Sequence, residues 1–208
     1  MLKAVASMLF TPNRQDFSLL NNEALAELAS QSAKAREELV TRLSDDVLYF
    51  IQSQLHSVEH GNYAKRQRAL DLLHDVWLTW LSKPHAFKVQ TQGSFKAWLF
   101  AIARNKLIDE LRKGRKQLPW QECEHEPQLH VADDYVTTLI NSASQQQLSS
   151  AIAALPYLQR ESLTLQLEGF SLHEIAMITN SEKESVKTRL RYGKANIAQS
   201  INKGHGDD

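Results

Sequence analysis

Four cations, Lys183, Lys187, Arg191 and Lys194, recur at steps of four and three near the end of the sequence. On an α-helix that spacing puts them on one face, opposite Val186 and Leu190, with Arg189 alongside. Such a stripe can neutralise phosphates along a duplex and reach guanine edges in a major groove. It would also suit a plain solvated face, so its neighbours must decide. A second tract, GSFKAWLFAIARNKLIDELRKGRK from Gly93 to Lys116, interleaves Arg104, Arg112, Lys113, Arg115 and Lys116 with Phe95, Trp98 and Phe100. Rings stack on unpaired bases of any type while cations follow the backbone, which is what single-stranded DNA requires. Core packing of the rings and the attraction of cations to a helix C-terminus would each explain part of that pattern.

Catalytic chemistry has little to work with. The one cysteine, Cys123, can form no internal disulfide and has no CxxC partner, which suits a reducing compartment, the cytoplasm. Eight histidines are scattered rather than spaced for metal, and the sequence contains neither H-E-x-x-H nor a Gly-rich phosphate loop. No catalytic residue, metal or cofactor is expected. Net charge is zero across 208 residues, so only the distribution of charge points to a partner. The opening MLKAVASMLF has no cleavage pattern after it, and no apolar run approaches the length of a membrane span.

The elements that must position these residues read as all-α, because apolar residues recur at three and four rather than two. Leu25, Leu28, Leu39 and Leu43 support helix in NNEALAELASQSAKAREELVTRL, which follows a variable start and runs to Leu43. A helix from about Asp45 to His56 follows, and Gly61-Asn62 is expected to break the chain after it. The next runs from about Lys65 to Leu81 with Leu70, Leu73, Trp77 and Trp80 on its stripe, and Lys83-Pro84 stops it. Ser94 is expected to cap a third helix lined by Trp98, Ile102, Leu107 and Leu111. After Lys116, QLPWQECEHEPQLHVADDY carries two prolines, five acids and no lysine or arginine, and reads as an acidic linker between two small helical domains. A helix near Val136 to Leu155 follows, then one opened by Pro156 and ended by Gly169.

Ser171-x-x-Glu174 and Ser181-x-x-Glu184 repeat one capping-box signal ten positions apart, with Asn180 just before the second. Asparagine is among the few residues that accept the left-handed backbone of a sharp helix exit. The pair therefore predicts a helix-turn-helix: the first helix about Leu172 to Thr179, the second starting at Glu182, with Ala176 small at the crossing. The double cap moves the basic stripe of the second helix toward DNA binding.

Together, DLLHDVWLTW, then GSFKAWLFAIARNKLIDELRK, then an acidic linker, then ALPYLQRESLTLQLEGFSLHEIAMITNSEKESVKTRLRYGKANI resembles a bacterial RNA polymerase sigma factor of the small, two-domain extracytoplasmic-function group. The resemblance spans roughly Leu43 to Ile201, and its most specific piece is FKAWLFAIARNKLIDELR. It implies residues 1–42 as an extension of unknown role, 43–116 as a region 2-like domain, 117–135 as the linker and 136–203 as a region 4-like domain. It implies polymerase binding through Asp71, Leu72, His74, Asp75, Trp77 and Trp80, docked on the clamp helices of the largest subunit, with the flap as a further contact. Family members usually carry an amide at the place of His74 and a longer acid at that of Asp75, so this sequence departs from the pattern there.

The resemblance further assigns promoter melting and the minus-ten element to Phe95, Lys96, Trp98, Arg104, Asn105, Asp109 and Arg112, with Lys96 and Arg104 on phosphates. The loop from Lys83 to Gly93 would cradle a flipped-out base. The minus-thirty-five element falls to Ser181, Glu184, Lys187, Thr188 and Arg191, although for Glu184 capping is the preferred role over a base contact. The partners implied are core RNA polymerase, promoter DNA and an anti-sigma factor, with no insertion into a membrane. Sigma factors hydrolyse nothing, so duplex opening would be driven by binding energy alone. The competing expectation is a stand-alone helix-turn-helix regulator that binds duplex DNA as a dimer behind an all-α sensory front half.

Overall fold

The structure is a computed structural model that describes residues 17–55, 61–88, 94–113 and 144–204. Eight α-helices make up the described residues: α1 Asn22–Leu28, α2 Ala33–Gln54, α3 Gly61–Leu81, α4 Phe95–Lys113, α5 Gln145–Ala153, α6 Tyr157–Leu167, α7 Leu172–Thr179 and α8 Lys183–Gly204. Helices α1 to α4 form one domain and α5 to α8 the other. The expected linker, Cys123 and the start of the helix expected from Val136 lie outside the described residues.

In the first domain α2 packs on α1, α3 and α4, and α3 packs on α4. The side chain of Asn21 caps α1 by accepting from the Ala24 amide, and Ser32 caps α2 by accepting from Ala35. α2 is one helix of 22 residues rather than a helix starting near Asp45. Leu39, Leu43, Val47, Phe50 and Ile51 are buried along it at spacings of four, four, three and one, and no glycine or proline interrupts them. The boundary expected at 42/43 thus falls inside a continuous helix. The residues before it join the core, since Leu25, Ala26, Ala29, Ala35 and Leu39 are all buried. Arg42 fastens the turn at residues 17–20 by donating to the carbonyls of Phe17, Ser18 and Leu20.

Gly61, expected as part of a break, is instead the first residue of α3. Pro84 ends that region in a single 3-10 turn, Pro84–Ala86. Aromatic rings fill the space between α3 and α4. Trp77 meets Trp80, Trp80 meets Phe95, and Phe87 meets both Phe95 and Trp98, with ring centroids between 5.2 and 5.6 Å apart in each pair.

The second domain is built on α8, which packs against α5, α6 and α7. Ser144 and Gln147 form a reciprocal capping box on α5. Pro156 precedes α6 as expected, and Gly169 follows it with φ of 87°, a conformation that glycine adopts without strain. The two domains also touch, α7 lying on α4 and α6 on α2.

Candidate nucleic-acid interface

Ser171 accepts from the Glu174 amide while Glu174 Oε2 accepts from the Ser171 amide, so the first expected capping box is formed. Asn180 is left-handed with φ 49° and ψ 52°, the only non-glycine residue with positive φ among the described residues. The Ser181 amide then donates back to Ala176 at 3.0 Å, closing the exit of α7. Ala176, Val186 and Leu190 are buried at the contact between α7 and α8. These features make α7 and α8 a helix-turn-helix.

The second expected capping box is absent. Ser181 donates its hydroxyl to the Thr179 carbonyl and accepts from Arg189 Nη1 at 2.9 Å. The first backbone bond of α8 runs from Val186 to Glu182, which moves the cap position one residue past Ser181. Glu184, preferred as a cap from the sequence, instead faces water and pairs with Lys187 at 2.7 Å. The reason is competition for one residue: the left-handed Asn180 ties Ser181 to the preceding helix before it can begin the next.

The face of α8 that remains open carries Lys183, Glu184, Lys187 and Arg191 exposed, with Thr188 and Lys194 half-buried. The guanidinium of Arg191 lies 5.0 Å from the Tyr192 ring centroid. The structure therefore brings Glu184, Lys187, Thr188 and Arg191 together on one face and turns Ser181 into the corner.

On α4 the expected strand-handling residues divide. Asn105, Asp109 and Arg112 are exposed on the C-terminal half, and Arg112 lies 3.6 Å from Asp109. Trp98 is half-buried against Phe87 and Phe95, whereas Phe95 is wholly buried and belongs to the core. Lys96 and Arg104, expected on phosphates, are both held by carboxylates. Lys96 lies 2.8 Å from Asp46 and 3.5 Å from Glu168, donates to the Glu168 carbonyl, and sits over the rings of Phe100 and Phe170. Arg104 Nε meets Glu161 Oε1 at 2.9 Å, and the Tyr157 hydroxyl donates to the same oxygen at 3.0 Å. Burial, then the charge of Glu161, hold the Tyr157 phenol well above its usual range. Burial and the nearby Asp46 raise the Glu168 carboxyl despite the opposing pull of Lys96.

The N-terminus of α4 is a second meeting point. Ser94 caps it as expected, accepting from Ala97, and donates its hydroxyl to Glu174 at 2.7 Å. Glu23 of α1 accepts from the Phe95 amide at 2.9 Å. Burial tends to raise Glu174, but hydrogen bonds from the Ser171 amide and the Ser94 and Ser171 hydroxyls outweigh it and leave its pKa lowered. The contribution of Glu23 was not legible in the sequence, because its partner lies 72 residues away.

On α3, Asp71, His74 and Asp75 are exposed. Leu72, Trp77 and Trp80 are buried instead, with Trp77 donating to Ser44 Oγ at 3.1 Å. Their aromatic and apolar surface packs better against α2 and α4 than against water, which moves them from docking surface to core. Besides Tyr63 near its start, α3 exposes Leu70, Leu78 and Leu81, at 37, 53 and 38%. With His74 they make a stripe at steps of four, four and three, a period visible in the sequence once Trp77 and Trp80 are assigned inward.

Among the described residues no group of three or more His, Cys, Asp or Glu could hold a metal, and no helix is long and apolar enough to cross a membrane. Residues 39–117 match the Sigma-70 region 2 family and residues 145–197 match Sigma-70, region 4. The chain is 32% identical over 139 residues to the ECF RNA polymerase sigma factor RpoE of Cereibacter sphaeroides, covering 64% of this chain and 72% of that one. It is 24% identical over 182 residues to the ECF RNA polymerase sigma factor SigM of Bacillus subtilis, covering 83% of this chain and 98% of that one. In fold it is similar to CnrH in complex with the cytosolic domain of CnrY, with a TM-score of 0.58, 18% identity, and coverage of 88% of this chain and 97% of that one. It is likewise similar to the sigma factor RpoE in complex with the anti-sigma factor NepR from Bartonella quintana, with a TM-score of 0.56, 24% identity, and coverage of 83% and 98%. A front half that matches region 2 leaves no ground for the sensory domain of a stand-alone regulator. Two sigma regions in order, on an all-helical chain whose second half is a helix-turn-helix, lead to one conclusion: the chain belongs to the extracytoplasmic-function RNA polymerase sigma factors, which serve promoter recognition and transcription initiation.

Proposed function

We propose that this chain binds core RNA polymerase in the cytoplasm, places α8 on the minus-thirty-five element and α4 on the minus-ten element, and opens the duplex by binding energy rather than by catalysis. The observation that carries this reading is the exposed basic face of α8 behind a left-handed asparagine turn, in one chain with the aromatic and cationic α4. Lys187 neutralises a phosphate, while Thr188 and Arg191 reach base edges. On α4, Asn105, Asp109 and Arg112 already face water, Trp98 offers a ring edge, and Lys96 with Arg104 reach the backbone when the domains separate.

Docking on the polymerase clamp helices uses the exposed Asp71, His74 and Asp75 together with Leu70, Leu78 and Leu81. Acids beside an apolar stripe suit a basic amphipathic partner helix, the apolar part supplying affinity and the acids orientation. The extension and the first domain are one folding unit in this reading, because Glu23, Leu25 and Ala26 are built into it. An anti-sigma factor is a fitting regulator, given that the similar RpoE structure is a complex with one.

Run-off transcription with core polymerase tests the proposal. Core enzyme plus this chain should start at one defined position on a cognate promoter, and core enzyme alone should not. Absence of any affinity for core polymerase at low salt would end the reading.

A further inference from the structure

Thr188, Arg191 and Tyr192 stand at i, i+3 and i+4 on α8, so their side chains share one patch of the helix surface. In the proposed reading Thr188 and Arg191 face the bases of the minus-thirty-five element, and Tyr192 lies beside them. Arg191 is exposed and enters no ion pair among the described residues, whereas Lys187, one turn earlier on the stripe, is paired with Glu184 at 2.7 Å. What meets the Arg191 guanidinium is the ring of Tyr192, its centroid 5.0 Å away.

Tyr192 rises from a part of α8 that is seated on α6. Its own side chain is half-buried. The next residue, Gly193, is buried against Gln159 of α6 and against Leu155 just before that helix. Asn196, one turn on, donates to Gln159 Oε1 at 2.8 Å. A ring rooted there keeps its place, while a long exposed arginine in water spreads over many rotamers. An aromatic face within about 6 Å attracts a guanidinium and stacks on its planar fork. Reading a guanine requires that fork to meet O6 and N7 at once. The ring thus supplies, before DNA arrives, an ordering that binding would otherwise have to impose.

We infer that Tyr192 is a positioning residue for minus-thirty-five recognition, its ring holding the Arg191 guanidinium for a two-point contact with one guanine of that element. This rests on the reading of Arg191 as a base contact. Tyr192 sharpens discrimination at that one base pair and leaves the phosphate contact of Lys187 as it is. A leucine in its place would fill similar space without offering a π face, and a phenylalanine would keep the face without the hydroxyl.

The test uses holoenzyme assembled from core polymerase and the full chain, with duplex promoter fragments randomised across the upstream element and the bound and unbound pools sequenced. Wild type should enrich a guanine at one position, and R191A should lose that preference. Y192A and Y192L should weaken it about two- to fivefold, the span of a cation–π contact at an exposed site. Y192F should retain it. A packing defect lowers affinity for all sequences alike, so the preference at that base pair is the readout it does not move. Y192A or Y192L as selective there as wild type overturns the proposal, and so does Y192F as relaxed as Y192A. If wild type enriches no guanine, or R191A keeps the preference, Arg191 is not the reader and the assignment beneath the proposal falls. If R191A relaxes and Y192L does not, Arg191 keeps its role and only the part given to Tyr192 is lost.

Discussion

Nε of Arg104 in α4 lies 2.9 Å from Oε1 of Glu161 in α6, a pair 57 residues apart in the chain that joins the two domains through a carboxylate with no exposed surface. Breaking a buried pair from one side strands the other charge, at a cost of about 3 to 5 kcal/mol. Here the chain has an escape, because separating the domains returns Glu161 to water. Arg104→Ala should therefore open the molecule rather than unfold it, increasing its radius of gyration in scattering while its helical circular dichroism is retained. A variant as compact as wild type would contradict this.

Glu23 holds the first amide of α4 from outside the segment that matches region 2. An acidic acceptor at a helix N-terminus satisfies an orphan donor and complements the macrodipole. Glu23→Ala should cost about 1 kcal/mol in urea denaturation, the usual loss for a cap, and Glu23→Gln, which keeps an acceptor oxygen, clearly less. Equal losses would mean that the charge, not the hydrogen bond, carries the effect.

Asn180 turns the chain between α7 and α8 with φ of 49°. Asn180→Ala keeps a Cβ in the left-handed region but removes the polar group that compensates for it, for up to about 1 to 2 kcal/mol, whereas Asn180→Gly should be close to neutral. The midpoint of thermal unfolding of the full chain distinguishes them.

Acid acts on the domain contact in two opposite ways. Glu168 has a raised pKa, so its contribution is present at low pH and is lost as pH rises through that value. Glu174 has a lowered pKa, first through the Ser171 amide of its own helix and then through the Ser94 hydroxyl across the contact, so the part that Ser94 supplies is present above 4.5 and is lost as pH falls. Closing should thus strengthen as pH falls from neutral toward the ordinary glutamate range and weaken below it. An interdomain fluorescence-transfer titration should show that maximum, and E168Q should flatten its upper limb alone.

Lys187 and Arg191 occupy one exposed face of α8 and should fail differently. Lys187→Ala should weaken holoenzyme binding to matched and mismatched upstream elements alike and lower the salt slope by about one. Arg191→Ala should cost about 1 to 3 kcal/mol on the matched element and little on a mismatched one, if it reads a guanine. Filter-binding titrations across salt concentrations separate the two patterns.

Ser171 and Ser181 show where reading the sequence stops. Both begin the string S-x-x-E, and only the first forms a capping box. The second is taken by the exit of α7, whose left-handed residue ties Ser181 to Ala176 and Thr179. Two local motifs compete for one residue there, and propensity alone does not rank them. Trp77 and Trp80 teach a related lesson: their helical spacing is plain, but whether the stripe meets a partner protein or the core depends on what α2 and α4 bring to it.

The sequence by itself determined the all-helical class, the helix-turn-helix and the basic face of α8, because caps, left-handed turns and steps of three and four act between residues within one or two turns of each other. Only the tertiary structure decided which charges remain free. Arg104, Lys96 and Ser94 meet their acids across 57, 72 and 80 residues of chain, and Glu23 reaches α4 across 72. No local pattern encodes such pairs, since which surfaces bury together is fixed by the packing of whole helices, and a cation looks the same in sequence whether water, DNA or a glutamate receives it.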